Sequence, residues 1–273
     1  DTRNGGAIAV GAATAGVDLG QSPTFVTVAG TVLAAGALTI AATTDHTLKA
    51  TGRAGSAAVL AGASVASTRA AVDDDVIIRI AAGAVLRAGG HLAVLADAST
   101  VAATDSDSAS TAVGAGADSD ATDQSTRGVR IGSASDAAER VVRVGAGAEL
   151  TGATVALRAS IDRLAATASA QARSASPIIL GVTTAHAAAH IDVYVDTYVK
   201  IHGGTGSAPT RITGLQGVDV SAVARNLSAV RDARVKSVST IPPQQARLRG
   251  TDWFATDVNV DAAVLVTAGP RAA

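Results

Sequence analysis

Short runs that alternate apolar and polar residues recur along the whole chain, each closing on a Gly/Ala turn. The clearest spans Ile191 to Ile201. There Asp192, Tyr194, Asp196, Tyr198 and Lys200 occupy the even positions, and Val193, Val195, Val199 and Ile201 the odd ones, with Thr197 the polar exception. Period-2 alternation between glycines predicts short strands joined by tight turns. Helical spacing is not sustained except in Ala-rich stretches, where a helix is the alternative reading. Even in Ile161–Ser174 the alanines at 166, 168, 170 and 172 fall every second residue, which reads as a strand against alanine's own helix propensity.

Laid against itself, the chain shows a repeat. One unit reads Phe25-Val-Thr-Val-Ala-Gly-Thr-Val-Leu-Ala-Ala-Gly-Ala-Leu-Thr-Ile40, and its counterparts begin at Ile78, Val142, Val199 and Val258. With Val28, Ile80, Val144, Ile201 and Val260 as equivalent positions, the steps are 52, 64, 57 and 59 residues. A second block rich in Gly and Ala precedes most units: Gly5 to Asp18, Gly55 to Asp75, and Ser176 to Asp196. The expected fold is all-β, a parallel β-helix (β-solenoid) of about 52–64-residue repeats, each supplying two to three coils. It forms a single segment over 1–273. Two stretches fit no repeat and are read as loop insertions: the Ser/Asp/Thr/Ala tract at 103–127 and the Pro-rich 241–254.

Composition sharpens this picture. Only 2% of the residues are aromatic, 28 are Gly, and Cys and Met are absent. Bulky side chains normally dominate core burial, so a chain this poor in them needs a narrow core repeated many times. Asp outnumbers Glu by 21 to 2, which favours turns over helices. The net charge of −1 gives no bias toward nucleic acid. No run of strongly apolar residues is long enough to span a membrane as a helix, and the lack of Cys excludes disulfides and thiolate chemistry.

The unit V-x-I-x-x-G-A-x-L-x-A-G-x-L-x-V, preceded by a Gly/Ala/Val block ending in Asp, resembles the repeat region of giant bacterial surface proteins. These are the filamentous-haemagglutinin-like adhesins and related large repetitive exoproteins. The stretches at 78–96 and 142–159 carry the likeness best, and the block Gly55–Asp75 supports it. The resemblance implies a right-handed parallel β-helix, export to the cell surface, and an adhesive or structural role. The expected function is therefore an extracellular rod-like segment of a surface or filament-forming protein, without catalysis. Host or matrix glycan or protein is its expected partner. The chain begins inside a Gly/Ala block and ends inside the strand unit Val264–Ala268, which predicts end-to-end self-association or continuation in a longer chain. The alternatives are a polysaccharide-active β-helix enzyme and a regular-face binder of ice or glycan.

Candidate chemistry is sparse. Asp73, Asp74 and Asp75 are three adjacent carboxylates that a cation would relieve of mutual repulsion, and their oxygens suit Ca²⁺; no other cofactor is called for. His186 and His190 have the i, i+4 spacing of a helical zinc site but lack its Glu. On a strand they lie about 13 Å apart, too far to share one ion. Asp192, Tyr194, Asp196 and Tyr198 share one strand face, an acidic and aromatic surface suited to sugar or protein contact. Trp253 and Phe254, in the irregular segment, are either a plug over the core or a further contact point. G-x-S-x-G and other nucleophile motifs are missing.

Overall fold

A computed structural model describes residues 2–21, 23–113, 116–121, 128–176, 182–238, 244–249 and 252–268. Seventeen strands join in one parallel sheet that winds from coil to coil. The first, β1 (Thr2–Gln21), belongs to an opening partial coil. The next coil holds β2 (Thr24–Val28), β3 (Thr31–Ala34) and the long β4 (Leu38–Asp73). It is followed by β5 (Val76–Ile80), β6 (Val85–Ala88), β7 (His91–Ala112), β8 (Gly116–Ala121) and β9 (Gly128–Ile131). Then come β10 (Ala138–Val144), β11 (Glu149–Ala175) and β12 (Val182–Ile201), whose last residues open the next coil. The remainder are β13 (Thr210–Ala224), β14 (Leu227–Val238), β15 (Gln244–Arg249), β16 (Asp252–Val260) and β17 (Val264–Ala268).

The five equivalent positions of the repeat form one ladder: Val28 pairs with Ile80, Ile80 with Val144, Val144 with Ile201, and Ile201 with Val260. The all-β parallel solenoid is thus as expected, but the coil count is not. Pairings among the described residues join positions from 52 apart (Thr24 with Val76) to 66 apart (Gly116 with Val182), so each repeat makes one coil and not two or three. The turn signals inside a unit are corners, not coil closures. Gly83 and Gly147, each three residues after its ladder position, turn one such corner with φ of 67° and 71°. Ala263 adopts the same left-handed conformation at the matching place, φ 62°, where a side chain is strained.

A single coil of this length is wide and flat. One leg runs out (38–58, 91–112, 154–175) and another returns (61–73, 116–121 with 128–131, 182–193), each as strand paired to the same leg of adjacent coils. Both loop expectations are corrected here. The tract from 103 lies in β7, paired to β4 and β11 as far as Ala112, and β8 follows; β15 and β16 occupy much of 241–254. Residues 114–115, 122–127, 241–243 and 250–251 lie outside the described residues. Serine suits such a strand because the legs nearly touch. Ser108 Oγ is 2.8 Å from Ser119 Oγ of the facing leg, Thr68 Oγ1 is 2.7 Å from Ser106 Oγ, and Ser110 Oγ donates to the Gly62 carbonyl at 2.7 Å. A Cβ on Gly52 would lie 3.0 Å from Thr68 Cγ2. Small residues suit a layer this thin, and several of their hydroxyls pair across it. Stacked at ~4.8 Å per coil, the five or so rungs rise only about 25 Å, while a 20-residue leg extends about 65 Å. The chain is a flattened section of solenoid, wider than it is tall.

Two apolar cores result. One, beneath β5, β6, β10 and the start of β7 and β11, holds Ile78, Ile80, Leu86, Leu92, Leu150 and Leu157. The other lies between the legs, from Leu48, Leu164 and the alanines of 166–172 across to Val72, Ile131 and Val193. Ala166, Ala168, Ala170 and Ala172 are all buried, as strand periodicity requires.

Candidate binding face

The strands that open each coil present a regular outer surface. Val193, Val195, Thr197, Val199 and Ile201 point inward and are buried, so Asp192, Tyr194, Asp196, Tyr198 and Lys200 face outward, half-buried. The alternation read from the sequence therefore places four of the six candidate residues on one face. Trp253 pairs in backbone register with Tyr194, and Phe254 with Val195, on β16; their side chains lie outside the described residues.

Register adds partners from other coils. Glu139 lies beside Asp196, Val141 beside Tyr198, and Arg143 beside Lys200. Arg143 Nη2 donates to Glu139 Oε2 at 3.0 Å and to the Tyr198 hydroxyl, with its guanidinium 5.6 Å from the Tyr198 ring centre. Tyr198 in turn donates to Glu139 Oε1 at 3.3 Å. The result is a clasp of acid, phenol and guanidinium closed over Val141, which is fully buried although it faces outward. Sequence reasoning missed Glu139 and Arg143. Aligning the repeats by their ladder positions would have placed both next to Asp196 and Lys200.

Burial raises the carboxyl pKa of Glu139 above its ordinary value, with nearby Asp75 and Asp196 adding to the rise and Arg143 opposing it. Asp196 is raised too, chiefly by burial and then by Asp257. A carboxyl whose folded pKa exceeds its unfolded one binds its proton more tightly when folded. Its contribution is complete below the unfolded value of about 4 and is lost as pH rises through the raised folded value. Urea midpoints compared between wild type and the Glu139→Gln/Asp196→Asn variant should show the wild type losing stability relative to the variant from pH 4 upward. A constant difference would contradict the assignment.

The acidic run goes to protein partners. Asp74 is buried at the corner between β4 and β5, where Arg140 Nη2 donates to its Oδ1 at 2.8 Å and Arg140 Nη1 to its carbonyl at 2.6 Å. His46 Nε2 lies 3.0 Å from Asp74 Oδ2, an ion pair only with the imidazole protonated. Asp75 Oδ1 accepts the Glu139 N–H at 2.9 Å, and Asp73 is half-buried near Asp136 and Arg130, its pKa raised mainly by burial. Among the described residues no three His, Asp or Glu side chains converge as a metal site. An internal arginine thus meets the charge of Asp74, where a cation was expected. Arg140 is itself fully buried, and desolvation lowers its pKa against the pull of Asp74. His186 and His190 lie on β12, four residues apart on one side of the strand, with His190 Nε2 2.6 Å from Asp192 Oδ2.

A second outward surface lies on the long legs. Arg53, Asp107, Gln171 and Arg234 stand in one column and Asp105, Ser169 and Asp232 in the next, lining an open polar cleft of about 380 Å³. Its mixed charge gives no single ligand class. The geometry defines the molecule's class as a wide parallel β-solenoid. No protein-family model, curated protein or solved structure matches the chain.

Proposed function

We propose that the chain is a section of an extracellular structural and adhesive surface protein, in which stacked coils hold a recognition face outward. The observation that supports this reading is the ladder through Val28, Ile80, Val144, Ile201 and Val260, which repeats one outward-facing strand at every coil. A stack of that kind multiplies weak contacts along its axis. Tyr194 and Tyr198, flanked by Asp192, Asp196, Glu139 and Arg143, supply flat aromatic area with hydrogen-bonding groups around it, which suits a sugar or a protein surface. Bacterial origin and surface location rest on the resemblance of the repeat.

The test is retention of beads coated with the chain on arrays of glycans and matrix proteins. Wild-type beads should be retained on a subset of spots, and Tyr194→Ala/Tyr198→Ala beads should lose most of that retention. Equal retention of both, or none for the wild type, would overturn the reading. One observation favours polysaccharide cleavage as a second reading, since Glu139 and Asp196 are neighbouring carboxyls with raised pKa values beside Tyr198 and Arg143. The same glycans assayed for new chain ends decide between them: bound glycan left intact supports adhesion, and chain ends dependent on Glu139 would replace it with catalysis.

A further inference from the structure

The outer face of the coil-opening strands carries three parallel columns. An acidic column runs through Asp75, Glu139 and Asp196, since the Glu139 N–H bonds Asp75 and Glu139 pairs with Asp196. Ile77, Val141 and Tyr198 form the central column, with Phe25 one coil earlier and 57% exposed. Arg79, Arg143 and Lys200 form the basic column. The pattern acid-x-apolar-x-base thus repeats on three successive coils, as Asp75-Val-Ile-Ile-Arg79, Glu139-Arg-Val-Val-Arg143 and Asp196-Thr-Tyr-Val-Lys200. Acidic and basic columns stand about 13 Å apart, and rungs about 4.8 Å.

Only the middle rung neutralises itself, through the Arg143–Glu139 ion pair at 3.0 Å. On the rungs either side, Asp75, Arg79, Asp196 and Lys200 make no ion pair among the described residues. Past the corner at Gly83 and Gly147, Arg87 and Arg211 are paired with Glu149 at 3.2 and 3.4 Å. The acidic side is extended by Asp73 and Asp136, close enough to raise the Asp73 pKa. The face is therefore dipolar across its width on three successive coils; on the coil after them Ala255, Asp257 and Asn259 continue the three columns, so the pattern ends there.

The geometry points to a second copy of this chain as the occupant of this face, packed side by side with parallel axes. A twofold axis running along the central column turns each acidic column onto the partner's basic column and sets Phe25 and Tyr198 within one shared apolar seam. A twofold across the columns would instead set like charges against each other. The symmetry is isologous, so lateral pairing closes at two copies. It uses part of the face proposed for adhesion, so a paired copy covers Tyr198, Asp196, Glu139 and Arg143, and it leaves the ends of the stack uncovered. Five rungs by four residues make roughly 300 Å² per copy, well below the ~800 Å² per partner of a stable interface. Pairing is thus weak and concentration-dependent in this section.

Sedimentation equilibrium tests it with two charge-reversed variants. Asp75→Lys/Asp196→Lys leaves Glu139 as the one acid of the three columns, and Arg79→Glu/Lys200→Glu leaves Arg143 as the one base, so the two variants carry opposite net charge on this face. The wild type should dimerise, less so as salt rises from about 0.05 to 0.5 M. Each variant alone should dimerise at least about tenfold more weakly, and an equimolar mixture should recover a 1:1 heterodimer. Thermal melts of both variants check that they fold; Arg79→Glu/Lys200→Glu should melt near wild type, and Asp75→Lys/Asp196→Lys somewhat lower, having lost the bond from the Glu139 N–H to Asp75. A wild type that stays monomeric at low salt, variants that associate as tightly as the wild type, or a mixture no tighter than its components would each overturn the proposal.

Discussion

Replacing Asp74 with alanine should destabilise the chain by about 3–5 kcal/mol, the cost of leaving a buried guanidinium without its counter-charge. Arg140 has 1% of its side chain exposed, and its carboxylate partner none. Their position explains why the pair matters. In register with Val76 and Thr197, Arg140 points inward where its neighbours Ala138, Val142 and Val144 are core residues. His46, across the coil, pairs with Thr100, midway between Ala98 of one core and Ala102 of the other. The trio His46, Asp74 and Arg140 is therefore a polar waist dividing the two cores. Because the pair had to be desolvated, replacing both members should cost less than replacing one. Asp74→Ala/Arg140→Leu should recover most of the loss, leaving a coupling of several kcal/mol in a double-mutant cycle read by urea denaturation. Additive single and double effects would mean that the two side chains act separately. The loss should also persist in high salt, unlike that of a surface pair.

How much of this was legible follows from which signals are local. Alternation fixed the inward and outward sides of 191–201, and the alanine spacing at 166–172 identified a strand where propensity favoured a helix. The repeat alignment even supplied the ladder register, since each equivalent position pairs with the next. Coil number was not legible, because a glycine that turns a corner within a coil looks the same in sequence as one that closes it. The serine tract from 103 looked like a loop because serine is a turn residue in solvent. Between two legs in near contact it is a core residue, and Ser106, Ser108 and Ser110 are all buried. The Asp73–Asp75 run was read as a cation site because its true partner is 66 residues away, as Arg140 lies from Asp74. A signal was present all the same. Arg140 stands at the inward parity of its strand, and an arginine there demands a carboxylate. Alignment of Arg140 with Val76 puts Asp74 two positions away.

The other large effect should depend on position in the stack. Val32, Leu86, Leu150, Ile212 and Val266 form a second inward ladder, one residue per coil. Leu150 sits in its middle, fully buried between Leu86 and Ile212, whereas Val266 is 47% exposed in the 273-residue chain. In a solenoid each coil is held mainly by its two neighbours, so stability is a sum of coil and interface contributions. A cavity at Leu150 weakens two interfaces at once. Leu150→Ala should therefore cost about 2–5 kcal/mol, since Leu86 and Ile212, held in strand register on either side, have little freedom to move into the space. Val266→Ala removes less buried surface and touches one interface, so it should cost under about 1 kcal/mol. Urea titrations followed by circular dichroism check the contrast. A reduced slope in Leu150→Ala would show the coils unfolding as separate blocks, because m scales with the surface exposed in one cooperative step. Equal costs at the two positions would contradict the nearest-neighbour account, because only a core without axial order treats a middle and an outer rung alike.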